Sequence, residues 1–314
     1  MSSAPKAAPT FSIEQRVPLA SMTSWLVGGE AEYFAQPYTV EHLKEALLWA
    51  RTNNQPVTIL SGGTNVLISD QGVKGIVITL RKMAGAAVRE ENGRLHLDCL
   101  AGTSKSELLK NFLKYKLEPA LFLAGLPGDV GGGVVMNAGV SEGFKPREFV
   151  EITDWVEVMR WSETKNDFEV VRLEAKELHW SYRHCEGWRP GIIVRAGLSW
   201  PLEPSADILQ RVKQANQTRL TKQPLDMPSC GSVFVNPPGH ASGRLIQESG
   251  LKGFTIGGAK VSEKHANFIV NFDQAKAIDI HRVIEHVKKT VKDQKGIELR
   301  TEVVYLGDWT GSAA

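Results

Sequence analysis

The chain has 314 residues, with 37 Lys+Arg against 35 Asp+Glu and a formal net charge of +2. Its 42% apolar and 23% charged residues are ordinary for a globular protein, and a chain this long can bury about three quarters of its unfolded surface. Intrinsic disorder, collagen and a disulfide scaffold are excluded, and the balanced charge argues against a general nucleic-acid binder while leaving room for a local basic site.

Residues 1–10 (MSSAPKAAPT) hold one Lys and no apolar stretch, so they read as a short disordered tail rather than a secretory signal. Residues 40–54 place Leu43, Ala46, Leu47 and Ala50 on one helical face, and Pro56 ends that helix. PVTIL follows as a buried strand, then a tight glycine loop, Ser61-Gly62-Gly63-Thr64-Asn65, then VLIS and GIVITL as short strands. RLHLDC (94–99) alternates like a strand, and Thr103 or Ser104 can cap a helix through SKSELLKNFLKY.

Residues 124–139 (AGLPGDVGGGVVMNAG) hold six glycines between apolar flanks. Glycine in such a setting lets backbone approach a ligand or another segment closely. Strands are expected at 150–161, 168–173 and 191–200, a polar helix at 204–220, an amphipathic helix at 275–294 and a closing strand over 297–307. Between Arg211 and Lys264 there are eight Lys/Arg and three Asp/Glu, an excess of five where the whole chain has only two. Strands and helices mix irregularly, which predicts an α+β fold. No apolar run approaches the roughly 18 residues that span a bilayer. Cys99, Cys185 and Cys230 are far apart without a C-x-x-C pair, as expected of reduced thiols in a cytoplasmic protein.

The common nucleotide signatures are missing. There is no P-loop, and a G-x-G-x-x-G frame begun at Gly131 reaches Met136 at its sixth position. Two glycine loops, 61–65 and 124–133, nevertheless offer strings of backbone N–H groups that could cradle a pyrophosphate from two sides; a pair of plain tight turns reads equally well. His179, His184 and Cys185 lack a second ligand pair, His281 and His286 point to different helix faces, and no G-x-S-x-G elbow occurs, so neither a metal nor a serine triad is expected. Glu302 sits in an apolar strand pattern whose facing is ambiguous, with a solvent-facing edge position the plainer reading.

Several segments together resemble the UDP-N-acetylenolpyruvoylglucosamine reductase (UDP-N-acetylmuramate dehydrogenase) family. They are TSWLVGGEA (23–31), LSGGTNVLISD (60–70), residues 124–139, Ser181-Tyr182-Arg183, QPLDMPSCGSVFVNP (223–237), GRLIQESGLKGFTIGGAKVSEKHANFIVN (243–271) and GIELRTEVVYLG. They run in family order through nearly the whole chain, and the lack of an extra insertion between the second and third parts is similar to the shorter, type II form. The resemblance implies a two-part FAD-binding domain of the vanillyl-alcohol-oxidase (PCMH) type, residues 21–80 and 81–203, and a C-terminal α+β substrate-binding domain at 204–309. A lead-in (1–20) and a short tail (310–314) flank them.

The implied reaction has two halves: NADPH reduces FAD, and a hydride then goes to the enolpyruvyl group of the UDP-sugar, a peptidoglycan precursor. Arg183, Ser232 and Glu302 match the family's catalytic positions. Gly62, Gly63, Thr64, Asn65, Gly125, Pro127, Gly128, Gly131, Gly132 and Asn137 match its FAD-lining ones. Tyr182, Arg219, Asn236, Arg244, Lys264 and His265 are substrate-binding candidates, with Lys222 and Lys260 as further basic contacts. The first loop, SGGTN, has no His, so the FAD is expected to be noncovalent. A monomer without nucleic-acid or membrane partners is expected. Three departures from the family pattern stand out: Val235, Cys185 and Gly133. The alternatives are a noncovalent flavin oxidoreductase acting on another small molecule and a non-catalytic UDP-sugar-binding protein.

Overall fold

The computed structural model describes residues 11–140 and 145–310. The expected tail at 1–10 and the last four residues lie outside them.

In chain order, β1 (Ile13–Pro18) and β2 (Glu30–Ala35) precede α1 (Val40–Thr52), β3 (Val57–Leu60), β4 (Val66–Ile68) and β5 (Val73–Thr79). Next come β6 (Ala86–Glu91), β7 (Arg94–Leu100), α2 (Lys105–Lys114), α3 (Pro119–Leu123) and α4 (Val130–Val135). Then follow β8 (Thr153–Ser162), β9 (Asp167–Glu174), β10 (Trp180–Ser181), β11 (His184–Cys185), β12 (Ile192–Pro201) and α5 (Ile208–Lys222). The chain closes with α6 (Ser242–Glu248), β13 (Thr255–Ile256), β14 (Ala259–Val261), β15 (Ile269–Asn271), α7 (Ala277–Lys295) and β16 (Val304–Leu306).

The first sheet runs β1-β2-β5-β3. Its central strand β5 pairs in parallel with both neighbours and is buried at all but one position, as a strand covered on two faces must be. α1 packs beside it and buries the four residues its periodicity singled out. The second sheet, β6-β7-β12-β8-β9, is wholly antiparallel. A smaller sheet, β13-β14-β15, packs on α7, which buries Ile280, Val283, Ile284, Val287 and Val291. Strands and helices thus mix as α+β.

The last part is pinned onto the first. Trp25, fully buried, donates its indole N–H to the Ile269 carbonyl at 2.7 Å, and Asn271 Nδ2 returns a bond to the Trp25 carbonyl at 2.9 Å. The Asp70 carboxylate accepts from the backbone of Ala277 and Ile278, each at 2.9 Å, filling the open donors of the α7 N-terminus.

Three expectations change. The glycine run is not only loop: residues 130–135 form α4, whose missing side chains let it press on Ala101 and Phe149. β1 and β6 were not legible, because both are largely exposed and show no clean alternation. The closing strand does not span 297–307. Thr301 bridges to Phe234, and only Val304–Leu306 forms a strand, parallel to β4. Glu302 stands where the chain changes partners, so it is not a solvent-facing edge residue.

Candidate active site

A cavity of about 1940 Å³ lies where the three parts meet. Both glycine loops, Tyr182, Arg183, Ser232 and Glu302 line it.

In the first loop three carbonyls are tied to protein. Gly63 O accepts from Ser24 N at 3.0 Å, Asn65 O from Val304 N at 3.0 Å, and Gly62 O from the Arg81 guanidinium. The N–H groups of Gly62, Gly63, Thr64 and Asn65 donate to no acceptor among the described residues. Four successive free amides beside three bound carbonyls form an electropositive concavity suited to a phosphate. Gly63 has φ +63°, and a Cβ there would lie 1.9 Å from Met22 O. A Cβ on Gly62 would lie 2.7 Å from Gly128 Cα, so the two loops touch backbone to backbone. These amides and the cavity's size fit a dinucleotide cofactor such as FAD.

Of the expected cofactor residues, Gly62, Gly63, Thr64, Asn65, Gly125, Pro127, Gly128, Gly131 and Gly132 line the cavity. Asn137 is a correction: it is 1% exposed and outside the lining. Its side chain accepts from Val150 N at 3.0 Å and donates to Ser181 O and Glu148, so it ties the glycine segment to the Arg183 hairpin. Asn65 has a second task. Its Nδ2 donates to Glu302 O at 3.0 Å, linking the first loop to the segment that carries Glu302.

Arg183 occupies the two-residue turn between β10 and β11 with φ +56°. Its Nε donates to Glu302 Oε1 at 3.0 Å and its Nη2 to Gly139 O at 2.7 Å. Nη1 is buried with no hydrogen bond among the described residues, though Glu148 Oε1 lies 3.5 Å away. The guanidinium lies 4.6 Å from the centroid of the Tyr182 ring. Burial pushes the Glu302 carboxyl up; the Arg183 charge and hydrogen bond oppose the shift without reversing it. Ser232 is carried next to this pair, because Glu302 N donates to Val233 O at 2.8 Å. The buried Asn267 holds the same segment, its side chain bonding both N and O of Phe234 at 2.9 Å.

The substrate candidates Tyr182, Arg219, Asn236, Arg244, Lys264 and His265 all line the cavity. Arg219 Nη1 donates to Ala124 O at 3.1 Å. Asn236 Oδ1 accepts from Ser242 N at 2.9 Å, at the start of α6. Burial lowers the His265 imidazole, favouring the neutral ring. Lys222 and Lys260 do not line the cavity; Lys260 Nζ sits 4.1 Å over the Phe272 ring instead. The sequence reading missed Glu148, Asn267 and Lys105. Each looks like a surface polar residue in sequence, and only burial reveals it.

Comparison with known proteins agrees with this geometry. Residues 31–164 match the family model for a FAD binding domain, and residues 223–306 match that for the C-terminal domain of UDP-N-acetylenolpyruvoylglucosamine reductase. The protein of that name from Synechococcus sp. (strain WH7803) is 41% identical over 298 residues, covering 94% of this chain and 93% of the relative. The one from Listeria innocua is 36% identical over 301 residues, covering 96% and 97%. The crystal structure of the Thermus caldophilus enzyme superposes with a TM-score of 0.75 at 32% identity, covering 95% of this chain and all of that one.

Proposed function

The chain belongs to the UDP-N-acetylenolpyruvoylglucosamine reductase family, whose reaction in peptidoglycan precursor synthesis it carries out, and from that premise we propose how its own residues act. Its 314 residues correspond to the shorter, type II form. We assign residues 21–80 and 81–203 to the two halves of the FAD-binding part and 204–309 to the substrate part.

The amides of Gly62, Gly63, Thr64 and Asn65, with Gly125, Pro127, Gly128, Gly131 and Gly132 opposite, hold the FAD. Bound there, FAD supplies a two-electron carrier between NADPH and the substrate. The first loop offers no His for a covalent link, so acid precipitation is expected to release free flavin into the supernatant. Yellow colour retained in the pellet would contradict noncovalent binding.

Hydride addition to the terminal vinyl carbon leaves negative charge on the neighbouring carbon, delocalised into the substrate carboxylate. Stabilising that enolate is the task of the Arg183–Glu302 pair, and this pair at 3.0 Å, beside Ser232, carries the reading. Arg183 supplies permanent charge and a planar fork for a carboxylate. Glu302, raised by burial, remains a neutral acid to higher pH than a free carboxyl and donates a hydrogen bond where charge develops. The Ser232 hydroxyl then protonates the carbon; a serine can do so only towards a strong carbon base held within reach. Tyr182, Arg219, Asn236, Arg244, Lys264 and His265 recognise the UDP-sugar, and NADPH takes its turn in the same cavity. Both ligands place the reaction in the cytoplasm. Among the described residues, no helix is long and apolar enough to cross a membrane.

The test separates the half-reactions by stopped flow. NADPH should bleach the flavin, and the enolpyruvyl UDP-sugar should restore its colour. Reoxidation by oxygen alone, with no response to that compound, would overturn the assignment.

A further inference from the structure

We propose that Lys105 is the fixed counter-charge for the cofactor's diphosphate, at the seam between the two glycine loops. The inference rests on the FAD-binding reading above and extends it to a residue outside the glycine motifs.

Lys105 opens α2, where a lysine would ordinarily reach into water. Here it is 5% exposed and lines the cavity. Its backbone N–H donates to Gly128 O at 3.0 Å, and its Nζ donates to Pro127 O at 2.7 Å. A Cβ built on Gly128 would lie 3.0 Å from Thr64 Oγ1 and 3.7 Å from Lys105 Nζ. The ammonium therefore sits beside the contact between the loops, on the side of Gly128 that faces Thr64.

One carbonyl satisfies one of its three donors. Among the described residues Lys105 forms no ion pair, though the Asp129 charge acts on it and Nζ lies 5.5 Å from the centroid of the Phe149 ring. A buried cation without a paired anion is costly in the free protein and is relieved when an anion arrives. Burial pushes the ammonium down to about 8; Asp129 opposes the shift and Arg183 adds to it. The four free amides gather partial positive charge in the first loop but supply no full charge. A diphosphate satisfies both the amides and the ammonium, and an uncharged ring satisfies neither.

The experiment titrates apoprotein with FAD, following quenching of flavin fluorescence, for wild type, Lys105→Met and Lys105→Gln. It also records thermal midpoints of the apo forms and the midpoint potential of bound flavin. Losing one charged hydrogen bond should weaken FAD binding by about tenfold or more in both variants. The potential should stay at the wild-type value, because the contact is to the diphosphate and not the ring. Apo Lys105→Met should melt no lower than wild type, since it removes the cost of burying an ammonium that no ion pair offsets; a merely structural lysine would lower it. Unchanged FAD affinity overturns the proposal, as does a lowered potential at unchanged affinity. If Lys105→Met does not fold, the affinity of Lys105→Gln decides alone. Wild-type protein that takes up no FAD would overturn the cofactor reading as well, which separates the two failures.

Discussion

The two halves of the cavity recognise charge by opposite means. Around 61–65 and 124–133 the work falls to main chain: amides are freed by glycines whose Cβ atoms would collide with Met22 O or Gly128. Around Arg183 it falls to side chains, with one guanidinium shared by Glu302, Glu148 and Gly139 O. A backbone site is chiefly sensitive to volume, with Lys105 the side-chain charge proposed at its seam. A side-chain site in a low-dielectric pocket responds to isosteric changes that leave volume alone.

The sharpest way to break this contrast is Glu302→Gln. It keeps shape and removes the acid, so reoxidation by the enolpyruvyl substrate should slow about a thousandfold while flavin reduction by NADPH continues. In the wild type this second half-reaction should fall as pH rises through the raised carboxyl value, where the neutral form is lost; the variant should lack that limb. Linkage has the same sign: a carboxyl raised by folding holds its proton in the native state, so its contribution to stability declines as pH rises across that window. Unchanged turnover in Glu302→Gln would return the residue to a structural role.

Next in size, Ser232→Ala should slow reoxidation by at least about a hundredfold, again sparing reduction. Equal slowing of both half-reactions in stopped flow would mean that Ser232 only shapes the loop.

Gly133→Ala probes the backbone half. The added Cβ would lie 2.5 Å from the Phe149 ring, and such overpacking costs about 1–3 kcal/mol. Chemical denaturation should show that loss, and Phe149→Leu should recover part of it in the double variant. Additive losses would show that the two positions are not coupled. The departure at Gly133 thus accompanies a large neighbour.

The smallest expected effect is that of Glu148→Gln. Glu148 shares the Arg183 charge, so removing it leaves more of that charge to favour ionised Glu302. Reoxidation at neutral pH should drop by about tenfold, in the range of a partly buried charge pair. Its alkaline limb should move to lower pH. A drop in rate without that displacement would limit Glu148 to holding the loop.

The sequence alone determined the long helices. In α1 the apolar spacing named the residues that are buried, and for α7 it predicted the amphipathic helix, because a helix face is set by neighbours three and four positions apart. It also determined the glycine loops and the family resemblance, since short contiguous motifs survive without knowledge of the fold. Only the tertiary structure decided the facing of Glu302, which depends on a chain crossing from Phe234 to β4, and the tying role of Asn137. It also showed that Glu148, Lys105 and Asn267 belong to the site. Their chemistry comes from burial and from partners far along the chain, and burial is a property of the packed molecule that no local pattern records.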